Sequence, residues 1–313
     1  MSRKASGDKL LDQEYRRTSE CSKYFKVVKE RGSRIPTWND TPVPGEILNL
    51  NYIREHGIDQ PLLFKDGQRS LDMRMIDAKM TLSDVAKILG PDTPIKVMDV
   101  GAQEELDNWT FGEYAKFFEN RSKEHKILNL ISLEISRTPL ATKIQAPLIV
   151  RQIDWIDAFW PENRRARGDF PRVQKYLLAG MQGAYTDFHV DFGGTSVWYH
   201  VLWGEKIFYF IRPTARNIKV FETWMRSVSQ SDTFLSDLLP PEETFKIHLR
   251  SGDTMMIPGG WIHAVYTPAD SLVFGGNFLH FPCIGRQLAV FGIEERTRIG
   301  QKYRFPFFKQ MMW

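Results

Sequence analysis

Cysteine is nearly missing from this sequence: Cys21 and Cys283 are the only two in 313 residues, and they lie far apart. Two such residues make neither a disulfide framework nor a cysteine-ligated zinc site, which excludes a zinc-finger reader module within this chain. Long apolar runs are missing as well. No stretch approaches the roughly 18 apolar residues of a membrane span, and the opening MSRKASGDKLLDQEYRR has no signal-peptide hydrophobic region. An intracellular protein without membrane contact is therefore expected. Internal repeats and low-complexity tracts are absent too.

A strong charge imbalance is also lacking. The formal net charge is +4, and Met1–Arg34 alone holds ten Lys/Arg against five Asp/Glu, so the rest is close to neutral. That basic arm and a second cluster, RRARGDFPR at Arg164–Arg172, are candidates for weak DNA contact. A solvated charged surface accounts for both equally well.

What remains is an ordinary globular composition, 42% hydrophobic and 26% charged, long enough for one large domain or two small ones. Residues 1–44 read as the basic arm and a connector, RIPTWNDTPVPGE. Residues 45–125 read as a mixed α/β part, with helices in NLNYIREHG, TLSDVAKILG and TFGEYAKFFENRSK and strands in QPLLFKDG and PIKVMDVGA. From residue 126 to 285 the apolar runs become short and β-branched: VWYHVL, KIFYFI, FKIHLR, TMMIP, HAVYT and SLVFGGNFL. That series favours an antiparallel barrel or double-sheet jelly roll over a parallel sheet. Residues 286–313 read as the start of a C-terminal helical region.

One stretch, YTDFHVDFGGTSVWYHVLWGEKIFYF at Tyr185–Phe210, reads as a half-buried hairpin yet carries many polar groups, each costly unless something satisfies it. In a strand, residues i and i+2 share a face. His189 and Asp191 therefore point together. His263, 72 residues after Asp191 in the strand IPGGWIHAVYT, is the natural third member. Two histidines and one carboxylate on one side of a metal, with the opposite positions open, form the facial triad of non-haem iron oxygenases. Such an enzyme needs an electron donor, commonly 2-oxoglutarate, whose distal carboxylate calls for a cation and hydroxyl donors. Lys206, Thr186 and Tyr199 supply them. Taken singly, Lys206 reads as a surface lysine and Tyr199 as a core residue. Their conjunction with the ligand pair favours a site.

These motifs, with FGGNFLH downstream and VMDVGAQEELDNWTFGEYAKFFENR, LNLISLEIS and IVRQIDWIDAFWP upstream, closely resemble the JmjC catalytic domains of histone lysine demethylases. The upstream stretches look like the PHD-JmjC branch that acts on mono- and dimethyl-lysine. The resemblance covers roughly Gly45 to Trp313. It implies a mainly β fold with flanking helices (α+β) around a double-stranded β-helix, a cupin-like jelly roll. It further implies Fe(II), with 2-oxoglutarate and O2 as cosubstrates, and removal of N-methyl groups with release of formaldehyde, succinate and CO2.

By position, the residues matching the family's iron ligands are His189, Asp191 and His263. Thr186, Tyr199, Lys206 and Asn129 match the 2-oxoglutarate site, and Tyr176 and Asn277 match the methyl-lysine pocket. A methylated histone tail in the nucleus is the implied partner, with lysine 9 or 27 of histone H3 suggested by the branch. Two departures stand out: no Cys-rich PHD finger precedes the JmjC region, and the chain stops at FPFFKQMMW, where the family continues into helices. Two rival readings are a JmjC protein hydroxylase and a catalytically silent chromatin-binding scaffold. Within the polar stretch, Val190, Val197, Trp198 and Phe208 are expected to be packing, and His200, at odd spacing from Tyr199, to face away from the site.

Overall fold

The computed structural model describes residues 30–38, 42–121 and 126–312; most of the basic arm lies outside them. Among the described residues, ten antiparallel strands carry the fold: β1 Leu62–Phe64, β2 Pro94–Asp99, β3 Glu104–Thr110, β4 Leu128–Glu134, β5 Tyr176–Gly180, β6 Tyr185–His189, β7 Ser196–Ile211, β8 Thr244–Arg250, β9 Thr254–Ile257 and β10 Ile262–Phe278. The main order is β1-β9-β7-β10-β5-β4-β2-β3, with β6 added to β10 and β8 to β7.

The two long strands make the jelly roll. The first half of β7 pairs with β9 and with the end of β10, whereas its second half pairs with β8 and with the start of β10. The start of β10 also pairs with β6, and its end with β5. One pair of strands therefore belongs to two sheets. The bend falls where the β7–β10 register shifts, between Tyr266 and Leu272, opposite Gly204. Gly204 has φ +88°, and a Cβ there would lie 2.0 Å from the Asp270 carbonyl oxygen, so no other residue fits this corner.

Three sequence expectations change here. VWYHVL and KIFYFI are one strand, β7, bent at Gly204 instead of broken there, and HAVYT and SLVFGGNFL are likewise the single strand β10. The stretch Tyr185–Phe210 is not a hairpin: β6 and β7 lie on either side of β10, with His263 in register with His189 on one flank and with Phe210 on the other. The left-handed glycines Gly193 and Gly194 (φ 58° and 60°) carry the chain across. β3, EELDNWT, is mostly exposed and lies at the end of the sheet, and so lacks an apolar signature.

The helices of the N-terminal part end where their caps say they should. Thr81 and Thr110 each close a capping box for Leu82–Leu89 and Phe111–Asn120, and Gly57 ends Leu50–His56. Their apolar faces join Leu128, Leu130, Leu177, Trp198 and Phe274 in the largest core cluster, which braces one sheet. The helix Ala215–Met225 and Ile293 of the helix Ile284–Arg296 cover the β6 side. Among the described residues, no helix is long and apolar enough to cross a membrane.

Candidate active site

Between the sheets lies a cavity of about 410 Å3 lined by residues of β4, β5, β6, β7 and β10 together with the helices Ala215–Met225 and Ile284–Arg296. His189 ends β6, and Asp191 follows in extended backbone (φ −60°, ψ 139°) as the cap of the turn Phe192–Gly194, so the alternation that pairs their side chains survives the end of the strand. His263 enters from β10 directly opposite His189, with ring centroids 4.3 Å apart. One ligand atom from each of the three lies within 4.8 Å of the others, and His263 Nε2 stands 3.8 Å from Asp191 Oδ2.

The histidines are held ready for a metal. Nδ1 of His189 lies 2.8 Å from the Asp187 carbonyl and Nδ1 of His263 lies 3.0 Å from the Trp261 carbonyl. A carbonyl only accepts, so each Nδ1 carries the proton and each Nε2 keeps its lone pair for the cavity. Burial, with His189 beside it, pushes His263 well below its ordinary value, which keeps it a neutral ligand. Burial raises the Asp191 carboxyl, opposed by His189 and by a hydrogen bond from Asn277. Two imidazoles and one carboxylate are a donor set that fits Fe(II) and comparable divalent ions.

Deeper in the same cavity sits a cation without an anion. Lys206 is 3% exposed, and among the described residues it pairs with no carboxylate; its Nζ donates to Thr267 Oγ1 at 2.7 Å. Burial alone pushes its ammonium down to about 7. The surrounding groups are donors or hydroxyls. Asn129 Nδ2 donates to Thr186 Oγ1 at 3.3 Å, and Tyr199 is buried against Phe208 with centroids 5.0 Å apart. Burial raises the Tyr199 hydroxyl, so it stays a donor at any physiological pH. Gly180 makes the space: a Cβ there would lie 2.6 Å from Lys206 Nζ and 3.1 Å from Asn129 Oδ1. A cation and hydroxyls grouped in this way are chemistry that suits a carboxylate.

Tyr176 and Asn277 line the cavity's other side. Tyr176 donates to the Arg172 carbonyl at 3.3 Å, and Asn277 donates to Thr195 Oγ1 at 2.8 Å, so Asn277 ties Asp191 to the end of its own turn. All nine residues singled out from sequence thus line one cavity.

Thr186 and His189 share a face despite their odd spacing. On β6 three steps separate partners that are two steps apart on β10 (His189 opposite His263, Thr186 opposite Val265), a bulge that sequence alternation does not reveal. Val190, Val197 and Phe208, expected as ordinary packing, line the cavity and dry it. Trp198 does pack outward, and His200 faces away as expected, bonded to Thr254 Oγ1 at 2.8 Å and pushed by burial to about 4. Sequence reading missed Thr267 and Gly180, small residues whose only signal is their place across from Lys206.

Two of the four arginines in the cluster Arg164–Arg172 are engaged within the fold, and Arg167 and Arg172 are exposed. Arg164 pairs with Asp169 at 2.8 Å and lies over Trp160, and Arg165 pairs with Asp157 at 3.0 Å. Residues 1–29 of the basic arm lie outside the described residues.

Comparison with known proteins agrees with this geometry. Residues 176–278 match the family described as "JmjC domain, hydroxylase". The chain is 43% identical over 296 residues to lysine-specific demethylase 2A of Xenopus tropicalis, covering 91% of this chain and 26% of that protein. It is 41% identical over 291 residues to lysine-specific demethylase 7A of Mus musculus, with 91% and 30% covered. It is also 43% identical over 241 residues to JmjC domain-containing histone demethylation protein 1 of Mycosarcoma maydis, with 75% and 36% covered. The chain spans about a quarter to a third of the length of these relatives. The chain thus carries a JmjC domain, matched over residues 176–278, within its antiparallel jelly roll.

Proposed function

We propose that this chain is an Fe(II)- and 2-oxoglutarate-dependent oxygenase that demethylates mono- and dimethyl-lysine on histone tails. The observation that carries the reading is the buried Lys206 ammonium, unpaired with any carboxylate among the described residues, in one cavity with a His-Asp-His group. A metal alone does not call for it; a dicarboxylate cosubstrate does.

His189, Asp191 and His263 would hold the iron, and Lys206 with Thr267, Thr186, Tyr199 and Asn129 would hold the far carboxylate of 2-oxoglutarate. With iron, 2-oxoglutarate and O2 bound, the centre supplies an oxidant that converts an N-methyl group into formaldehyde while 2-oxoglutarate becomes succinate and CO2. The chain's own part is positional. Tyr176 and Asn277 would line the methyl-lysine channel, and Phe208, Val197, Val265 and Ile257 keep water away from the reacting carbon. Relatives named lysine-specific demethylases and a histone demethylation protein support the substrate class, and a histone substrate implies work in the nucleus.

The experiment is succinate formation by the iron-loaded protein, with and without methylated histone H3 peptides. Stimulation by a methylated peptide and its loss in His189→Ala support the reading. A rate independent of every methylated peptide contradicts it. The family description "hydroxylase" keeps one rival, a stable hydroxylated product, in view. A silent scaffold would form no succinate, and the intact ligand triad speaks against it.

A further inference from the structure

The turn that carries Asp191 is closed from behind by a single carboxylate. Phe192–Gly194 is wedged on both sides: a Cβ at Gly193 would lie 2.8 Å from Phe305 Cβ, and one at Gly194 would lie 2.8 Å from Gln287 Cα. From the other side comes Gly259, so near that its own Cβ would lie 2.0 Å from the Gly194 carbonyl oxygen. Gly259 belongs to the turn before His263, and its N–H is fixed by Ser196 Oγ at 3.0 Å. Two of the three ligand-bearing segments therefore meet glycine to glycine against the helix Ile284–Arg296.

Into this junction the helix sends Glu294, 6% exposed, whose Oε1 accepts the Gly193 N–H at 2.7 Å. Its Oε2 is buried and has no partner among the described residues, and Glu294 lines the same cavity as the triad. The neighbouring cation offsets it only in part: Arg304 bonds the Glu294 main-chain carbonyl at 3.1 Å and pairs its guanidinium with Glu295, while burial still raises the Glu294 carboxyl. A buried carboxylate with one N–H and one idle oxygen is costly by itself. A divalent ion held by His189, Asp191 and His263 would supply further positive charge to offset it, because opposite charges attract strongly where water is excluded.

We propose that Glu294 is a positioning residue of the metal centre. It fixes Gly193, and through that turn the orientation of Asp191, and its charge, only partly offset by Arg304, favours a bound divalent cation. The proposal rests on the metal reading of His189, Asp191 and His263.

Calorimetric titration of the metal-free chain with Mn(II), beside thermal unfolding with and without Mn(II), tests it. Glu294→Gln keeps an acceptor of the same shape and loses the charge; Glu294→Ala loses both. Outer-shell groups of this kind typically change metal affinity by about ten- to a hundredfold. We expect Glu294→Gln to weaken Mn(II) binding about tenfold and Glu294→Ala further, with the Mn(II)-induced rise in Tm shrinking in the same order. A purely structural Glu294 would lower the Tm of the metal-free protein and leave the Mn(II) affinity of Glu294→Gln at the wild-type value. That result overturns the proposal, and Glu294→Gln decides the matter even where Glu294→Ala fails to fold. A wild-type chain that does not bind Mn(II) overturns the metal reading instead, and this inference with it.

Discussion

The unpaired lysine makes the sharpest prediction. Lys206, bonded to no carboxylate among the described residues, is pushed by burial to about 7, yet a bound carboxylate needs the ammonium form. The ionisation equilibrium leaves about nine-tenths of it charged at pH 6 and about one hundredth at pH 9. Above pH 7 each binding event must first recover a proton, so the apparent dissociation constant of 2-oxoglutarate rises by up to about tenfold per pH unit, or about 1.4 kcal/mol. The assay is calorimetric titration of Mn(II)-loaded protein with 2-oxoglutarate from pH 6 to 9. Lys206→Met is the control: it should bind about ten- to a hundredfold more weakly at pH 6.5, as loss of a charge-assisted hydrogen bond implies, and its profile should be flat. A flat profile in the wild type, or the same slope in Lys206→Met, would refute the reasoning.

Removal of a ligand should separate site from fold. His189→Ala and Asp191→Ala are each expected to abolish Mn(II) binding and formaldehyde release with the circular dichroism spectrum unchanged; formaldehyde release by either variant would remove that residue from the ligand set. Gly180→Ala places a methyl group 2.6 Å from Lys206 Nζ, and should weaken 2-oxoglutarate binding about tenfold while Mn(II) binding persists. Equal 2-oxoglutarate affinity would mean that this corner is not the carboxylate seat. His200 and His280 are both pushed by burial from 6.5 to about 4, so the unfolded chain binds the extra protons between those values. Stability is therefore full above pH 6.5 and falls as pH drops towards 4, by about 2 kcal/mol for each by pH 5. Urea unfolding of His200→Gln should show that much less loss between pH 7.5 and 5, and an unaltered loss would count against the assignment.

The pairing of His189 with Asp191 was legible because alternation in a strand is a local rule: the two share a face whether or not the strand is known to end between them. Lys206 was singled out in the sequence as a cation that a dicarboxylate would need. Its burial was not legible, since that depends on β10 crossing opposite and on Gly180 standing clear. The hairpin reading failed for the same reason. Adjacency in sequence suggested that β6 pairs with β7, whereas β10, more than 50 residues later in the chain, takes the place between them. Gly204 resembled a turn because a single glycine looks alike whether the chain reverses there or merely bends. Glu294 had no local signal, because its meaning lies in the N–H of Gly193, 101 residues away.

The central claim stands or falls on what happens to the methyl group. Mass spectrometry of mono-, di- and trimethylated histone H3 peptides, including lysines 9 and 27, after incubation with the protein, Fe(II), 2-oxoglutarate and O2 gives the answer. The account predicts loss of one methylene equivalent per turnover from a mono- or dimethylated peptide, matched by formaldehyde and succinate. A peptide that gains a single oxygen atom and keeps it, or one that stays unchanged with no succinate formed, would contradict it.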